Sequence, residues 1–348
     1  MTSKSSLPKS LMPSVSIIIP CYNEQDTICK LLEAIYAQSY ARIDLEVVIA
    51  DGMSTDGTRS EIAAFADTHP DLHICVVDNP RRIIPAALNC ALAEAQGEII
   101  VRMDAHSMPH PDYIERSVSD LEAGLGENVG GVWEIHPGKA TGMAQSIALA
   151  ASHPLGVGDA HYRHAEKAAE VDTVPFGAFK RELLAMVGFF DETLLTNEDY
   201  EFNTRIRKSG GKIWLDPSIR SVYFARPTLA ALAKQYARYG FWKWRMLRRY
   251  PETLRWRQGL PPLFVLSLLA GVVLAVFLPI FRILLAAESL VYILVLVAAG
   301  FQAALRQKNI RLLIGLPLAI ATMHIAWGSG FLWSIIRGVF THRKPKEK

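Results

Sequence analysis

Residues 260–340 are almost continuously apolar, and no other feature restricts the fold of this chain so strongly. Two stretches, 260–281 and 283–305, are each long enough to cross a bilayer as a helix, which takes about 20 residues for ~30 Å of hydrocarbon. A third, 312–336, contains Pro317 and Gly328-Ser329-Gly330. Arg282 and the mid-segment Glu288 predict a tight hairpin between the first two, with Glu288 facing protein or an interface. Cationic loops stay in the cytoplasm, which places Arg306, Lys308 and Arg311 there. The same rule wants the tail (Arg337, Arg343, Lys344, Lys346) in the cytoplasm too, and three full spans cannot satisfy both. Either the third segment is re-entrant or interfacial, or the tail breaks the rule.

The remaining residues are of a different kind. Half of the 348 residues are hydrophobic and the mean hydropathy is +0.17, but the excess is concentrated after residue 259. Residues 1–259 read as a globular α/β region large enough for one core. A net charge of +3 does not point to nucleic acid. Cys21, Cys29, Cys75 and Cys90 form no CxxC pair and no zinc spacing, which fits a reducing compartment. The apolar run at 15–19 is too short for a secretory signal, so the N-terminal region is expected to stay cytoplasmic.

Apolar runs at 15–19, 45–50, 74–77 and 98–103 predict strands, the first stopped by Pro20. Helical spacing at 24–40, 54–66 and 84–95, the second with Ser54, Thr55 and Asp56 as candidate N-caps, alternates with them, which predicts a parallel, doubly wound α/β sheet. Ligands bind such sheets at the carboxyl ends of the strands. Asn23, Asp51 and Asp104 all fall there, although an Asp after a strand serves equally as a helix cap. Further on, helices are expected at 111–121, 143–151, 181–187 and 199–209, a strand at 130–136, and a loop at 155–172. Residues 1–13 read as a flexible N-terminus, 14–227 as the α/β domain, 228–259 as an amphipathic interfacial region, and 341–348 as a basic tail.

Pro20-Cys21-Tyr22-Asn23-Glu24 is followed in order by Ala50-Asp51-Gly52, Asp104-Ala105-His106, Phe176-Gly177-Ala178-Phe179 and Asn197-Glu198-Asp199. This series, over about residues 14–225, resembles the family 2 glycosyltransferases. The apolar C-terminal region and the Asp-Ala-His variant are most similar to the succinoglycan-assembling β-glucosyltransferases within it. The resemblance implies a GT-A, Rossmann-like nucleotide-sugar domain that binds a UDP-sugar through Pro20, Tyr22, Asn23, Glu24, Asp51, Asp104, Gly177 and Ala178. It also implies Asp199 as the general base, with Glu198 positioning the acceptor. Most family members carry a second Asp where this chain has His106. With Asp104, that imidazole would hold a divalent cation, Mn²⁺ or Mg²⁺, and shift the preference toward the softer ion.

Each element also has a structural reading. Glu24 fits a solvated helix start, His106 a hydrogen-bonded loop histidine, the Phe-Gly-Ala-Phe segment a packed turn, and Asn197-Glu198-Asp199 a helix N-cap. Crowded like charges would raise a carboxyl pKa and improve Asp199 as a base. Gln235-Tyr236-Ala237-Arg238-Tyr239 echoes the Gln-x-x-Arg-Trp motif of processive synthases, with Tyr239 in place of Trp. It lies in a helix whose mixed aromatic and basic residues fit a membrane interface. Arg238 is a candidate for the leaving diphosphate.

The expectation is therefore an inverting, metal-dependent enzyme in the bacterial inner membrane with its catalytic domain facing the cytoplasm. It would move a sugar, glucose first, to a polyprenyl-diphosphate-linked oligosaccharide in exopolysaccharide biosynthesis, among membrane lipids and other assembly proteins. The alternatives are a polyprenyl-phosphate glycosyltransferase, a processive synthase, and a catalytically silent nucleotide-binding scaffold.

Overall fold

A computed structural model describes residues 13–158, 160–163 and 165–340. The N-terminal segment expected to be flexible falls outside these but for residue 13, and the basic tail 341–348 falls outside entirely. Two compact units divide the chain: Met1–Glu134 with Ala165–Tyr223, and Ile135–His164 with Phe224–Lys348.

The first unit begins with strands and helices in alternation. They are β1 (Val15–Cys21), α1 (Ile28–Tyr36), β2 (Leu45–Asp51), α2 (Thr58–Thr68), β3 (His73–Asp78), α3 (Ile84–Glu94) and β4 (Ile99–Arg102). There follow β5 (Met108–Pro109), α4 (Tyr113–Glu122) and β6 (Asn128–Pro137), and in the second unit α5 (Gly142–Ala150) and the short α6 (Pro154–Val157). The chain continues through β7 (Ala169–Glu170), β8 (Ala178–Lys180), α7 (Leu183–Val187), α8 (Glu198–Lys208) and β9 (Ile213–Ala225). Sheet order is β3-β2-β1-β4-β8-β6-β9-β5, with β7 on β9.

β3, β2, β1 and β4 are parallel, and β8 joins β4 antiparallel. The runs Val15–Ile19 and Val47–Ala50 are fully buried, as strands covered on both faces require. In register, Cys21 lies beside Asp51 and Asp51 beside Asp78, so these strands end along one edge. Helix α1 buries Ile28, Leu31, Leu32 and Ile35, one helical stripe, in the same core.

Several local expectations need correction. Pro20 does not stop β1, which pairs on through Pro20 and Cys21 with β2. On its other side β4 has already ended, at the Ile18–Arg102 pair, so no partner asks Pro20 for an N–H. The N-cap position of α2 is Gly57, not Ser54, Thr55 or Asp56. Ser54 bonds Asp51 within the preceding loop, whereas the Asp56 carboxylate accepts from the N–H and hydroxyl of Thr58, the first residue of α2. The stretch 155–172 is not wholly loop, since it holds most of α6, a 3₁₀ turn at His161–Arg163, and β7. β5, β8 and β9 had no sequence signal strong enough to announce them, being two or three residues long or, for β9, carrying Asp216-Pro217 mid-strand.

The second unit is completed by α9 (Leu229–Leu247), α10 (Trp256–Phe277), α11 (Pro279–Gln307) and α12 (Leu312–Phe340). The last three are long and apolar enough to cross a membrane. The break between α10 and α11 falls at Leu278-Pro279, not at Arg282. Proline forces the preceding residue to be extended and then opens a helix well. Glu288, half-buried, accepts a 2.5 Å hydrogen bond from Ser267 across the hairpin.

Where β6 passes β9, a Cβ added to Gly131 would come within 1.7 Å of the Ile219 carbonyl oxygen. Gly131→Ala is therefore expected to destabilise the protein by about 1–3 kcal/mol, the usual cost of overpacking. Thermal denaturation of the purified variant should show a lowered midpoint, and an unchanged one would refute this close approach.

Candidate active site

One buried cation organises the site. Ile99, Ile100 and Val101 carry β4 through the core, and Arg102, at the strand's end, is also buried at 4% exposure. Its guanidinium donates to Asp199 at 2.7 Å, to Asp104 at 2.9 Å and to Glu198 at 3.2 Å, and lies 5.1 Å from the Phe176 ring centre. Three carboxylates thus share one positive charge.

Asp199 consequently holds its proton to about pH 7. Burial is the largest cause. Arg102 opposes it, Glu198 and Asp104 reinforce it, and a hydrogen bond from the Phe176 N–H pulls the other way. Like-charge crowding, the expected cause, contributes but is secondary to burial. Asn197 occupies the α8 N-cap position at φ +71° with no side-chain cap bond, so the capping alternative for that residue fails. Glu198 and Asp199 instead form the first turn of α8.

The loops after β1 and β2 form a second cluster. Asp51 is fully buried; its carboxylate accepts from the Ser54 N–H at 3.0 Å, the Ser54 hydroxyl at 2.5 Å and Arg59 Nε at 2.5 Å. Burial pushes its pKa up, but the bonds from Ser54 and Arg59 outweigh that and hold it below the usual range. Its oxygens are already engaged, so direct acceptance from a nucleotide would require one of these bonds to be exchanged. Arg59 also reaches Asp78. The Asn23 N–H donates to Ser54 Oγ at 2.8 Å and its side chain accepts from the Thr55 N–H at 2.8 Å. Tyr22 is exposed against Gly52, with the Arg82 guanidinium 5.8 Å from its ring centre.

Glu24 connects this cluster to the turn after β4. Its Oε1 lies 3.0 Å from His106 Nδ1, and its other oxygen accepts from Thr27 at 2.6 Å. Residues 104–107 are not extended: the Ser107 N–H bonds the Asp104 carbonyl at 2.9 Å, closing a β-turn. The alternation that would put Asp104 and His106 on one side of a strand therefore does not apply. Among the described residues, no three His, Cys, Asp or Glu side chains form a group that could hold a metal by themselves. Asn23, Met53, Phe176 and Asn197 all have positive φ, and such non-glycine strain gathers where a site demands it.

Other candidates fall elsewhere. Ala178 is wholly buried in β8 and belongs to the hydrophobic core, where its smallness serves packing. A Cβ on Gly177 would strike the Asn128 side chain. Pro20 is part of β1, and Arg238 lies on α9 in the second unit. Arg102 and Arg59 were given no role on sequence, and Ser54 only that of a candidate helix cap. Arg102 was the most discoverable, because a charged residue ending an apolar strand run must be paired if it is buried.

A family model described as glycosyl transferase family 2 matches residues 16–186. The chain is 33% identical to the succinoglycan biosynthesis protein ExoA of Rhizobium meliloti (strain 1021), covering 90% of this chain and 93% of that protein. It is 27% identical, over 95% of its length and 100% of the relative's, to the dolichyl N-acetyl-α-D-glucosaminyl phosphate 3-β-D-2,3-diacetamido-2,3-dideoxy-β-D-glucuronosyltransferase of Methanococcus voltae. Among solved structures, the mannosyltransferase PcManGT from Pyrobaculum calidifontis, in complex with GDP-Man and Mn²⁺, is similar with a TM-score of 0.61. The identity is 27%, with 94% of this chain and 88% of that one covered. The curled, mostly parallel sheet is thus a GT-A fold.

Arg102→Met would leave three half-buried carboxylates without their cation, a loss of about 3–5 kcal/mol at pH 8. The deficit should shrink below about pH 7, where Asp199 takes up its proton. Denaturant titrations of wild type and variant at pH 8 and pH 5 test this, and equal losses at both would contradict it.

Proposed function

Because this chain belongs to glycosyl transferase family 2, we propose that it is an inverting glycosyltransferase in which Asp199 is the general base. The observation that carries this reading is a half-buried carboxyl group beside Asp104, tuned close to neutrality. A base poised near the working pH is the most effective kind. The acceptor hydroxyl would give its proton to Asp199 as its oxygen bonds the anomeric carbon of the donor. The bond from that carbon to the diphosphate breaks in the same displacement, and the nucleotide diphosphate leaves. Glu198, on the same α8 turn, is placed to orient the acceptor.

A divalent cation fits the residues present when the donor's phosphates complete the ligand set. Asp104 engages Arg102 through Oδ1, and His106 is oriented by Glu24 through Nδ1, as metal-binding imidazoles commonly are by a carboxylate. Asp104 and His106 would hold the ion, which would offset charge on the departing diphosphate. Arg102 keeps Asp104 and Asp199 in one place. Asp51, Ser54, Asn23 and Tyr22 would receive the nucleoside.

UDP-glucose is the first donor to try, with GDP-mannose beside it because the structural relative was solved with that donor. The acceptor we propose is a polyprenyl-diphosphate-linked saccharide in exopolysaccharide assembly. The sugar–lipid phosphate in the Methanococcus relative's name supports an acceptor carried on lipid. The nucleotide-sugar supply places the catalytic unit on the cytoplasmic face of a bacterial inner membrane.

Asp199→Asn should reduce transfer about 10²–10⁴-fold while leaving nucleotide binding within a fewfold. UDP release and UDP titration read the two, and retained turnover would remove Asp199 as the base. For the wild type, kcat/KM should rise through about pH 7 as Asp199 loses its proton. Stability runs oppositely: the folded state binds that proton more tightly than the unfolded one, so it loses stability as pH rises towards 7. Asp199→Asn should therefore be more heat-stable than wild type at pH 8.

Chelation should abolish transfer and Mn²⁺ restore it. His106→Asp should move the preference from Mn²⁺ toward Mg²⁺, read as the ratio of UDP release with each ion. An unchanged ratio would separate His106 from the ion.

A further inference from the structure

The third apolar helix lies in different surroundings from the other two. In α12, 44% of the most apolar stretch is buried against protein, whereas the figure is 17% in both α10 and α11. The partners change along its length. Near its start, Gly315 faces Ser146 of α5, and Arg311, just before α12, covers Gly142. At mid-helix, His324 Nε2 is 2.8 Å from the Leu155 carbonyl oxygen of α6, and Gly156 packs on Met323. Towards its end α12 meets α9 backbone to backbone. A Cβ on Gly240 would come 2.1 Å from the Trp327 oxygen, and one on Gly330 would come 2.1 Å from the Ala237 oxygen. Trp244 and Phe331 stack edge to face at 5.5 Å.

Neither of these neighbours suits hydrocarbon. α9 and the residues just after it expose Lys234, Arg238, Arg245, Arg248 and Arg249, and α9 contains no acid. α6 is four residues long between turns, and lipid-exposed backbone of that kind is not tolerated within a bilayer core. Suppose α12 crossed from Leu312. Trp327, fifteen residues on at ~1.5 Å each, would then lie roughly 22 Å deep, beyond the middle of a ~30 Å core. That would carry the cations of α9 into the far leaflet and the α6 turns to the midplane.

We propose that α12 is not a third span. α10 and α11 alone cross, as a hairpin turning at Leu278-Pro279. α9 and α12 form a layer in the plane of one interface, with the α9 cations among the phosphates of the lipid headgroups. α11 has 29 residues where about 20 suffice to cross, so its last turns can lie beside α12. They do so in the structure, where Gly300 lies against Leu313 and Pro317; the Tyr292 hydroxyl, 3.0 Å from His324 Nδ1, reaches α12 from the middle of α11. The loop at Lys308 and the chain end then share one face, and every cationic segment named on sequence meets the charge rule. That this face is the cytoplasmic one rests on the function proposed above; the two-span topology does not.

The experiment places single cysteines at Lys308→Cys, Leu278→Cys and Lys348→Cys in the full-length protein. Each is read as one further PEG-maleimide addition over wild type, in inside-out vesicles and in spheroplasts, with detergent-unfolded samples as full-labelling controls. Positions 308 and 348 should react from the same face and 278 from the other. Reaction of 308 and 348 from opposite faces would make α12 a span and overturn the proposal. Reaction of all three from one face would overturn the crossing hairpin. Sugar transfer is not part of the readout, so an inactive but correctly inserted chain would fail the function and leave the topology standing.

Discussion

The first unit depends on a single guanidinium. Three carboxylates from two separate segments, the turn after β4 and the start of α8, could not approach one another unaided at such depth. Arg102 permits it, and because it ends a core strand its own position is fixed by Ile99, Ile100 and Val101. The compensation is incomplete, one positive charge against three negative. That deficit, with the burial that sharpens it, leaves Asp199 reluctant to ionise. Its place in the first turn of α8 works in the other direction, since a helix N-terminus favours an anion. Burial prevails, and the carboxyl keeps its proton well above the ordinary range of an aspartate.

Rigidity at Asp199 comes from the rest of α8, whose buried side is polar. Asn203 donates to Thr173 at 2.9 Å and to the Val174 carbonyl at 3.2 Å, and also bonds the Asn128 side chain. Glu201 holds Arg205 through both carboxylate oxygens, and Arg205 reaches the carbonyls of Val187 and Phe189. A buried polar network must be satisfied in one arrangement or it costs stability, so it fixes the helix's rotation as apolar packing alone would not. The strained backbone at Phe176 and Asn197 sits between these anchors. A second line of bonds runs from Asp51 through Ser54 and Asn23 to the Asn23-Glu24 segment, and from Glu24 to His106. The loops after β1, β2 and β4 are therefore one connected structure.

The alternating half of the sheet was legible in the sequence because each parallel strand is buried on both faces and reads as an uninterrupted apolar run. The carboxylates at its edge were legible because a polar residue directly after such a run has few places to go. Of the antiparallel half only β6 was, as the strand expected at 130–136. β5 and β8 are too short to show a period, and β9 is carried by its partners more than by its own composition. Among the site residues, Asp199 could be found by motif order, whereas the reason for its strength could not, because Arg102 lies ninety-seven positions earlier in the chain. Asp51 shows the converse. Its location was readable, but the three bonds that occupy it come from loop geometry that no local pattern encodes.

The apolar C-terminal region marks where composition misleads. Hydropathy registers which residues a segment holds and is blind to what covers them. α12 has a mean hydropathy of 1.6 against 2.5 and 2.3 for α10 and α11, still within the range of a span. Its contacts are of another kind, with glycines set where the α9 and α10 backbones press closest: Gly328 meets the Pro261 carbonyl much as Gly330 meets that of Ala237. Small residues let helix backbones touch inside a membrane as well as outside it, so these glycines report close packing and the location is argued from what the partners are. The one sign of this in the sequence was electrostatic, the basic segments at both ends of α12 that could not lie across a membrane from each other without breaking the charge rule. An in-plane α12 satisfies the contacts and the charges together, whereas a spanning α12 violates both.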